Sequence, residues 1–191
     1  MATEGQATSD GPSLSRDDLY RAVGSIAAAT TLLEFALAGA VSSLTQSPLT
    51  SILVQGERAS TLTRMCRRLV EDGIGSTAHD EKSGRTARLG LLSFADTQAF
   101  LAILKQVDAL IGERDHVVHS IWLPSDAEDT FLGQKITRST RDSREWTLEK
   151  LERLRQNIVN AQVDVFIAAW NATADASGMP RTPIRVGDAI G

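Results

Sequence analysis

The chain has 191 residues, 20 basic against 24 acidic side chains, and a hydrophobic content of 42%. This length and composition are typical of one globular domain that buries a core without a metal clip. A single cysteine excludes an intramolecular disulfide. The formal net charge of -4 argues against a protein whose whole surface coats nucleic acid, but it leaves room for a local basic patch.

The start of the chain carries no recognisable targeting signal. Residues 1–13 are small and polar and lack the basic end and apolar run of a secretory signal, so we expect a disordered tail. The most apolar stretch, residues 26–41, is interrupted by Glu34 and is too short to span a bilayer, which favours a buried helix and no membrane segment. With no signal and a lone thiol, we expect a cytoplasmic protein.

Apolar residues recur at helical spacing in four segments of the chain. These predicted helices cover about residues 15–44, 49–71, 93–123 and 147–176. Asp17 and Asp18 suit the positive end of the first helix, and Thr147 is a typical N-cap for the last. Gly56 lies inside the second segment and marks where we expect any break, and Pro124 ends the third.

The segments between and after the helices are polar. Residues 76–90 have no period and predict a loop, whereas residues 129–146 are rich in Thr and alternate weakly, which favours a β-hairpin. Residues 177–191 predict an irregular tail. The predicted fold is therefore all-α: an antiparallel four-helix bundle over residues 14–176, with a β-hairpin insertion at 123–146 between the third and fourth helices.

Chemistry-bearing residues concentrate at the end of the third predicted helix, from Glu113 to Trp122. The phosphate-binding, dinucleotide-binding and nucleophile-elbow signatures are missing elsewhere in the sequence. At about 100° per residue, Asp115 and His119 share one stripe and can hydrogen-bond. About 140° separates Arg114 from His119. The guanidinium therefore has to reach round the helix, or the two groups have to meet across a subunit interface.

This segment resembles the HEPN superfamily of helical-bundle proteins, whose signature is an Arg, usually a polar residue, a few more residues and then a His. Arg114, Asp115 and His119 fit that signature, although Asn is common at the position of Asp115. The order of long helices over residues 15–175 is also similar. The resemblance implies a metal-independent endoribonuclease that needs no cofactor, pairs its motifs in a homodimer, and acts as a toxin or in phage defence with an antitoxin protein as partner.

In an active protein of this kind, RNA supplies its own nucleophile, the 2'-hydroxyl. His119 would move the proton, Arg114 would bind the phosphate, and Asp115 would orient His119. Basic residues of the predicted insertion would steer the RNA backbone; they are Lys135, Arg138, Arg141 and Arg144. Trp122 and Trp170 fall on the apolar faces of their helices, which predicts core anchors rather than base-stacking platforms.

Purely structural interpretations of the same residues stay open. Arg114 can pair with Glu34 or Glu113, and His119 can be a satisfied histidine at a helix end, where the dipole favours a cation. The four basic residues of the insertion can form a solvated hairpin face. His116 and His119 lie at helical spacing but lack an obvious third ligand, so we predict no metal site.

Residues 48–92 support a competing hypothesis, a DNA-binding winged helix of the kind found in MarR-like repressors. The turn at Gly56 precedes a possible recognition helix whose Arg64, Arg67 and Arg68 could contact phosphates. The basic loop that follows, up to Phe94, resembles a wing. A non-catalytic helical dimer that binds a partner protein is the third alternative.

Overall fold

The computed structural model describes residues 15–45, 47–73, 77–80, 85–88, 94–125, 127, 129–177, 180 and 182. Five helices lie within these residues: α1 Arg16–Thr45, α2 Pro48–Leu53, α3 Ala59–Gly73, α4 Phe94–Val118 and α5 Leu148–Ser177. The strands there are β1 Thr77–Asp80, β2 Arg85–Arg88, β3 Ile121–Pro124, β4 Phe131–Ile136 and β5 Arg141–Trp146. The predicted N-terminal tail and most of the predicted C-terminal tail lie outside the described residues.

Side-chain caps lie at the starts of the first and last helices, and the cap at Thr147 is the one that the sequence predicts. The Ser15 hydroxyl accepts the Asp18 N–H at 3.2 Å and donates to the Asp18 carboxylate at 2.7 Å. This bond from Ser15 holds the pKa of Asp18 below its usual value. At the other end of the chain, Thr147 Oγ1 accepts the Lys150 N–H at 3.2 Å. Both contacts satisfy backbone donors that a helix start leaves unpaired.

The second predicted helix is divided in two. Gly56 has a φ of +83°, a left-handed conformation that glycine adopts without a steric penalty, and it separates α2 from α3. The first N–H of α3, on Ala59, donates to Glu34 Oε1 on α1 at 3.1 Å. The break at Gly56 is confirmed, and a carboxylate from a neighbouring helix supplies the cap.

The four longer helices surround one hydrophobic core. α1 packs against α3 and α5, and α4 packs against the same two helices. Phe100, Leu37 and Ile158 are completely or almost completely buried between them. Cys66 is buried too, and its burial raises the pKa of the thiol to about 12. The periodicity of the sequence therefore located the core-forming helices correctly.

α1 is the one helix among the described residues that is long and apolar enough to cross a membrane. Core helices of soluble proteins share this property, and nine residues of α1 are buried in the bundle.

A three-stranded antiparallel sheet of order β3-β4-β5 lies between α4 and α5. The predicted hairpin corresponds to β4 and β5, which pair from Phe131↔Trp146 to Ile136↔Arg141. β3 was not predicted, because Trp122 also fits the helical stripe of α4. The helix instead ends at Val118, and β3 pairs with β4 so that Trp122 lies opposite Gly133.

A second, two-stranded sheet is formed by residues 77–80 and 85–88, within the segment predicted as a loop. β1 and β2 pair antiparallel from Thr77↔Arg88 to Asp80↔Arg85. These strands are four residues long and mostly polar, so they have no apolar alternation by which sequence reasoning could find them. The chain is mostly helical with small sheets, an α/β fold rather than the predicted all-α fold.

The outer part of α5 also differs from the prediction. Trp170, expected on the apolar face of its helix, is 39% exposed, and Phe166 one turn earlier is 63% exposed. The buried stripe of α5 runs through Val165 and Ala168 instead. Trp170 is therefore not a core anchor, whereas the partly buried Trp122 does pack against the core.

Candidate functional site

The end of α4 carries the residues of the candidate site. Arg114 and Asp115 lie in the last two turns of the helix, and His119 follows its final residue, Val118. The His119 N–H donates to the Asp115 carbonyl at 3.3 Å, which continues the helical turn through the histidine. Asp115 and His119 thus keep the one-turn spacing that the sequence predicted.

These three residues line one cavity of about 330 Å³. Its walls come from α1, from the start of α3 and from the end of α4, and most of its residues are polar. The lining residues are Thr30, Glu34, Arg58, Ala59, Ser60, Ile111, Arg114, Asp115 and His119. Arg114 and His119 of the same protomer therefore line one cavity, although about 140° separates their positions on the helix.

The Asp115 carboxylate binds Arg114 rather than the His119 imidazole. Arg114 Nη1 donates to Asp115 Oδ1 at 2.9 Å. The expected role of Asp115 as the group that orients His119 does not match this contact. A guanidinium is permanently charged and has five N–H donors, which favours it as the partner of a carboxylate. The alternative ion pairs of Arg114, with Glu34 or Glu113, are not those observed.

Most of the N–H donors of Arg114 are not engaged by Asp115. Its side chain is only 24% exposed, and Nε is buried without a hydrogen-bond partner in the described part of the chain. A guanidinium has five N–H donors, and Asp115 engages one of them here. Arg114 is therefore held in place by Asp115 and still has donors for an incoming anion.

Two further residues of the cavity come from distant parts of the sequence. Glu34 is fixed by the Ala59 N–H at the start of α3, and Arg58 immediately precedes that helix. Sequence reasoning considered Glu34 only as a partner of Arg114 and missed Arg58. The one signal in the sequence that pointed to Arg58 was Gly56. A helix break at Gly56 places Arg58 just before the start of α3, outside the regular helix.

The four basic residues predicted to bind RNA are not assembled on one surface. Lys135 lies opposite Asp142 and Arg144 opposite Gly133, so both basic side chains share one face of the sheet. Arg141 lies opposite Ile136 on the other face, and Arg138 lies in the turn between β4 and β5. None of the four is among the described residues that line the cavity.

His116 is the buried histidine of this region, with 2% of its surface exposed. Nδ1 lies 3.3 Å from the Ser120 hydroxyl, and Nε2 lies 3.6 Å from the Asp142 carboxylate. Burial, reinforced by the positive charge of Arg144, lowers the pKa of His116, while Asp142 opposes that shift. His116 thus links α4 to the sheet, whereas His119 lines the cavity. The described residues include no group of three His, Cys, Asp or Glu arranged to hold a metal ion.

The residues of the competing DNA-binding hypothesis lie along α3. Arg64 and Arg68 are exposed, but Arg67 pairs with Asp108 of α4 at 2.6 Å. The hairpin of β1 and β2 follows α3 as a wing would. α2 has only six residues and packs on α1. The order of elements matches a winged helix, but the first helix of the motif is short.

Comparison of the chain with models of protein families gives no match, and comparisons with curated proteins and with solved structures give none either. A functional interpretation therefore depends on the geometry of the cavity and on the residues that form it.

Proposed function

We propose that this protein is an HEPN-like, metal-independent endoribonuclease whose active site is the cavity at the end of α4. The observation that carries the proposal is the common cavity of Arg114 and His119, two residues on different sides of the helix. A cation for a phosphate and a group that can move a proton are the two requirements of RNA cleavage by its own 2'-hydroxyl.

The reaction follows from the chemistry of these side chains. The 2'-oxygen of the RNA attacks the adjacent phosphorus, the bond from phosphorus to the 5'-oxygen breaks, and a 2',3'-cyclic phosphate and a 5'-hydroxyl result. His119 takes the proton of the attacking hydroxyl, and the leaving 5'-oxygen receives a proton from the imidazolium so formed or from water. Arg114 donates to the phosphate oxygens, where negative charge develops in the transition state.

Asp115 has a different role in this proposal from the one the sequence predicted. Its ion pair fixes the guanidinium of Arg114, at a distance of 2.9 Å, in the wall of the cavity. A fixed donor loses less conformational freedom when the phosphate binds than a mobile one does. Asp115 is therefore a positioning residue for Arg114 rather than for His119.

An exposed apolar surface supports the homodimer that belongs to the proposal. Phe35, Val163, Phe166 and Trp170 flank a groove of about 460 Å³ between α1 and α5. Phe35 is 81% exposed, Phe166 63%, Val163 50% and Trp170 39%, and exposed apolar side chains grouped in this way are typical of protein–protein interfaces. We propose a second copy of the chain as its occupant, because the groove has no charged lining residue to select a different partner.

A cleavage assay tests the enzymatic proposal. Purified protein is incubated with a fluorescently labelled single-stranded RNA in the presence of EDTA, and the products are separated by size. We expect cleavage by the wild type and loss of at least 100-fold of the rate in His119→Ala and in Arg114→Ala, with helical content unchanged by circular dichroism. Cleavage that survives both substitutions, or that EDTA abolishes, would contradict the proposal.

DNA binding is the second candidate, favoured by the antiparallel pair of strands β1 and β2, which are the next described elements after α3. Arg64 and Arg68 lie four residues apart on the exposed side of α3, where a recognition helix presents its cations. A mobility-shift assay with duplex DNA tests it: the Arg64→Ala, Arg68→Ala double variant should lose the shift, and His119→Ala should keep it. A protein that neither cleaves RNA nor shifts duplex DNA would instead fit the non-catalytic dimer.

A further inference from the structure

A second arginine, Arg58, lines the cavity together with Arg114 and His119. Its backbone is fixed at the start of α3, because its carbonyl accepts the N–H groups of Thr61 at 2.9 Å and Leu62 at 3.0 Å. The Arg58 side chain is exposed and forms no ion pair with any described residue. No ion pair within the described residues therefore engages the Arg58 guanidinium, and its N–H donors can bind an anion that enters the cavity.

Both carboxylates of the cavity already have other partners. Glu34 accepts the Ala59 N–H at 3.1 Å, and Asp115 accepts Arg114 at 2.9 Å. The first of these bonds also holds the residue that follows Arg58 against α1. Glu34 thus keeps the start of α3, and with it Arg58, at the rim of the cavity.

From this arrangement we infer that Arg58 is a second phosphate-binding residue, which holds the RNA phosphate next to the one that Arg114 binds. The inference rests on the proposed ribonuclease function and extends it to a residue 56 positions before Arg114. Successive phosphates of a single strand are the repeating anions that two separate guanidinium groups can contact. Glu34 is the positioning residue for Arg58, and it acts through the Ala59 N–H.

Binding of an RNA that cannot be cleaved isolates this contact from catalysis. The probe is a fluorescently labelled 2'-O-methyl oligonucleotide, which lacks the nucleophilic hydroxyl, and its affinity is measured by anisotropy over a series of KCl concentrations. Arg58→Ala should weaken binding about tenfold, as expected for one lost charge-assisted contact. The slope of log affinity against log salt should become shallower by about 0.7, the value for one phosphate contact on a single strand.

Matched variants separate this contact from general charge and from folding. Arg58→Lys should keep the slope because it keeps the charge, and Arg58→Gln should behave as Arg58→Ala does. Arg21→Ala removes the same charge from an exposed site, where Arg21 pairs with Asp18, and should leave the binding unchanged. Glu34→Gln should bind at least as tightly as the wild type, since its amide oxygen can still accept the Ala59 N–H and its negative charge is removed. Glu34→Ala, which loses the acceptor as well, should bind more weakly than Glu34→Gln.

The results distinguish failure of this inference from failure of the proposed function. If Arg58→Ala and Arg58→Gln keep both the affinity and the slope while His119→Ala abolishes cleavage, the role of Arg58 is wrong and the ribonuclease stands. A fall in affinity without a change of slope also overturns it, since that result indicates a structural role. If the wild type neither binds the probe nor cleaves RNA, both proposals fail.

Discussion

Arg114 and Asp115 are adjacent on α4, yet their side chains form an ion pair of 2.9 Å in the wall of the cavity. Neighbouring helical residues diverge by about 100°, so this contact requires the guanidinium to fold back along the helix surface. The pair brings Arg114 to the side of the helix where His119 lies. It also places a negative charge beside the proposed phosphate site.

That charge can be removed without removing the hydrogen bond. Asp115→Asn keeps an amide oxygen that can accept from Arg114, and it removes the repulsion between Asp115 and a phosphate. We expect the KM for RNA to fall about three- to tenfold, with cleavage retained. Asp115→Ala, which releases Arg114, should lower kcat instead. Steady-state kinetics of both variants check this, and a higher KM in Asp115→Asn would show that the carboxylate itself is needed.

The buried His116 should make the fold sensitive to acid. Its folded-state pKa is lowered by burial, so the unfolded state binds more protons just below pH 6.5, the usual value for histidine. The unfolding free energy should therefore fall as the pH drops below about 6.5, by at most about 1.4 kcal/mol per pH unit for one proton. Urea denaturation from pH 7.5 to 5 measures the slope.

His116→Gln should flatten this pH dependence, because glutamine does not titrate. His119→Gln is the matched control, since that exposed side chain lies outside the buried cluster. Equal slopes in the wild type and in His116→Gln would assign the acid sensitivity to other groups.

Gly133 is required by the two tryptophans of the sheet. A Cβ at this position would lie 3.2 Å from the rings of both Trp122 and Trp146. Gly133→Ala should lower the unfolding free energy by about 1–3 kcal/mol, because the rings are packed against the core and have to shift. Gly112→Ala is the control: its Cβ meets nothing within 4 Å, and the α4 helix should gain about 0.5–1 kcal/mol. Thermal or chemical denaturation should show a lower unfolding free energy for Gly133→Ala than for the wild type and a higher one for Gly112→Ala.

The groove between α1 and α5 predicts the oligomeric state. Phe166 is 63% exposed and lines the groove beside Phe35, so Phe166→Glu should introduce a charge into the dimer interface. We expect the wild type to sediment as a dimer and Phe166→Glu as a monomer in analytical ultracentrifugation. Glu152→Lys, on an exposed part of α5 outside the groove, should remain dimeric. A monomeric wild type at all concentrations would rule out this interface.

The Cys66 thiol should be unreactive toward alkylating reagents while the protein is folded. The thiol is buried and its pKa is raised to about 12, so almost none of the reactive thiolate exists at neutral pH. Iodoacetamide should label Cys66 only under denaturing conditions, as measured by mass spectrometry of the intact protein. Rapid labelling in native buffer would mean that α3 opens readily from the bundle.

Sequence patterns predicted those structural features that depend on residues close together in the chain. The periodicity of apolar side chains located α1, α4 and α5, and the N-cap Thr147 marked the start of α5. Gly56 marked the break between α2 and α3, because the left-handed backbone conformation at the break is one that glycine adopts readily. The one-turn spacing of Asp115 and His119 follows from helix geometry alone.

Other features depend on contacts between distant residues, which no local pattern reports. Trp122 fits a helical stripe equally well, and its place in β3 results from pairing with Gly133. The partner of Asp115 depended on where the Arg114 side chain could reach. Arg58 and Glu34 join the cavity because α1 caps α3 across 25 residues of sequence. By itself, the sequence determined the helices and the candidate motif, since periodicity and capping are local. Only the tertiary structure decided which side chains share the cavity, because that depends on how the helices pack.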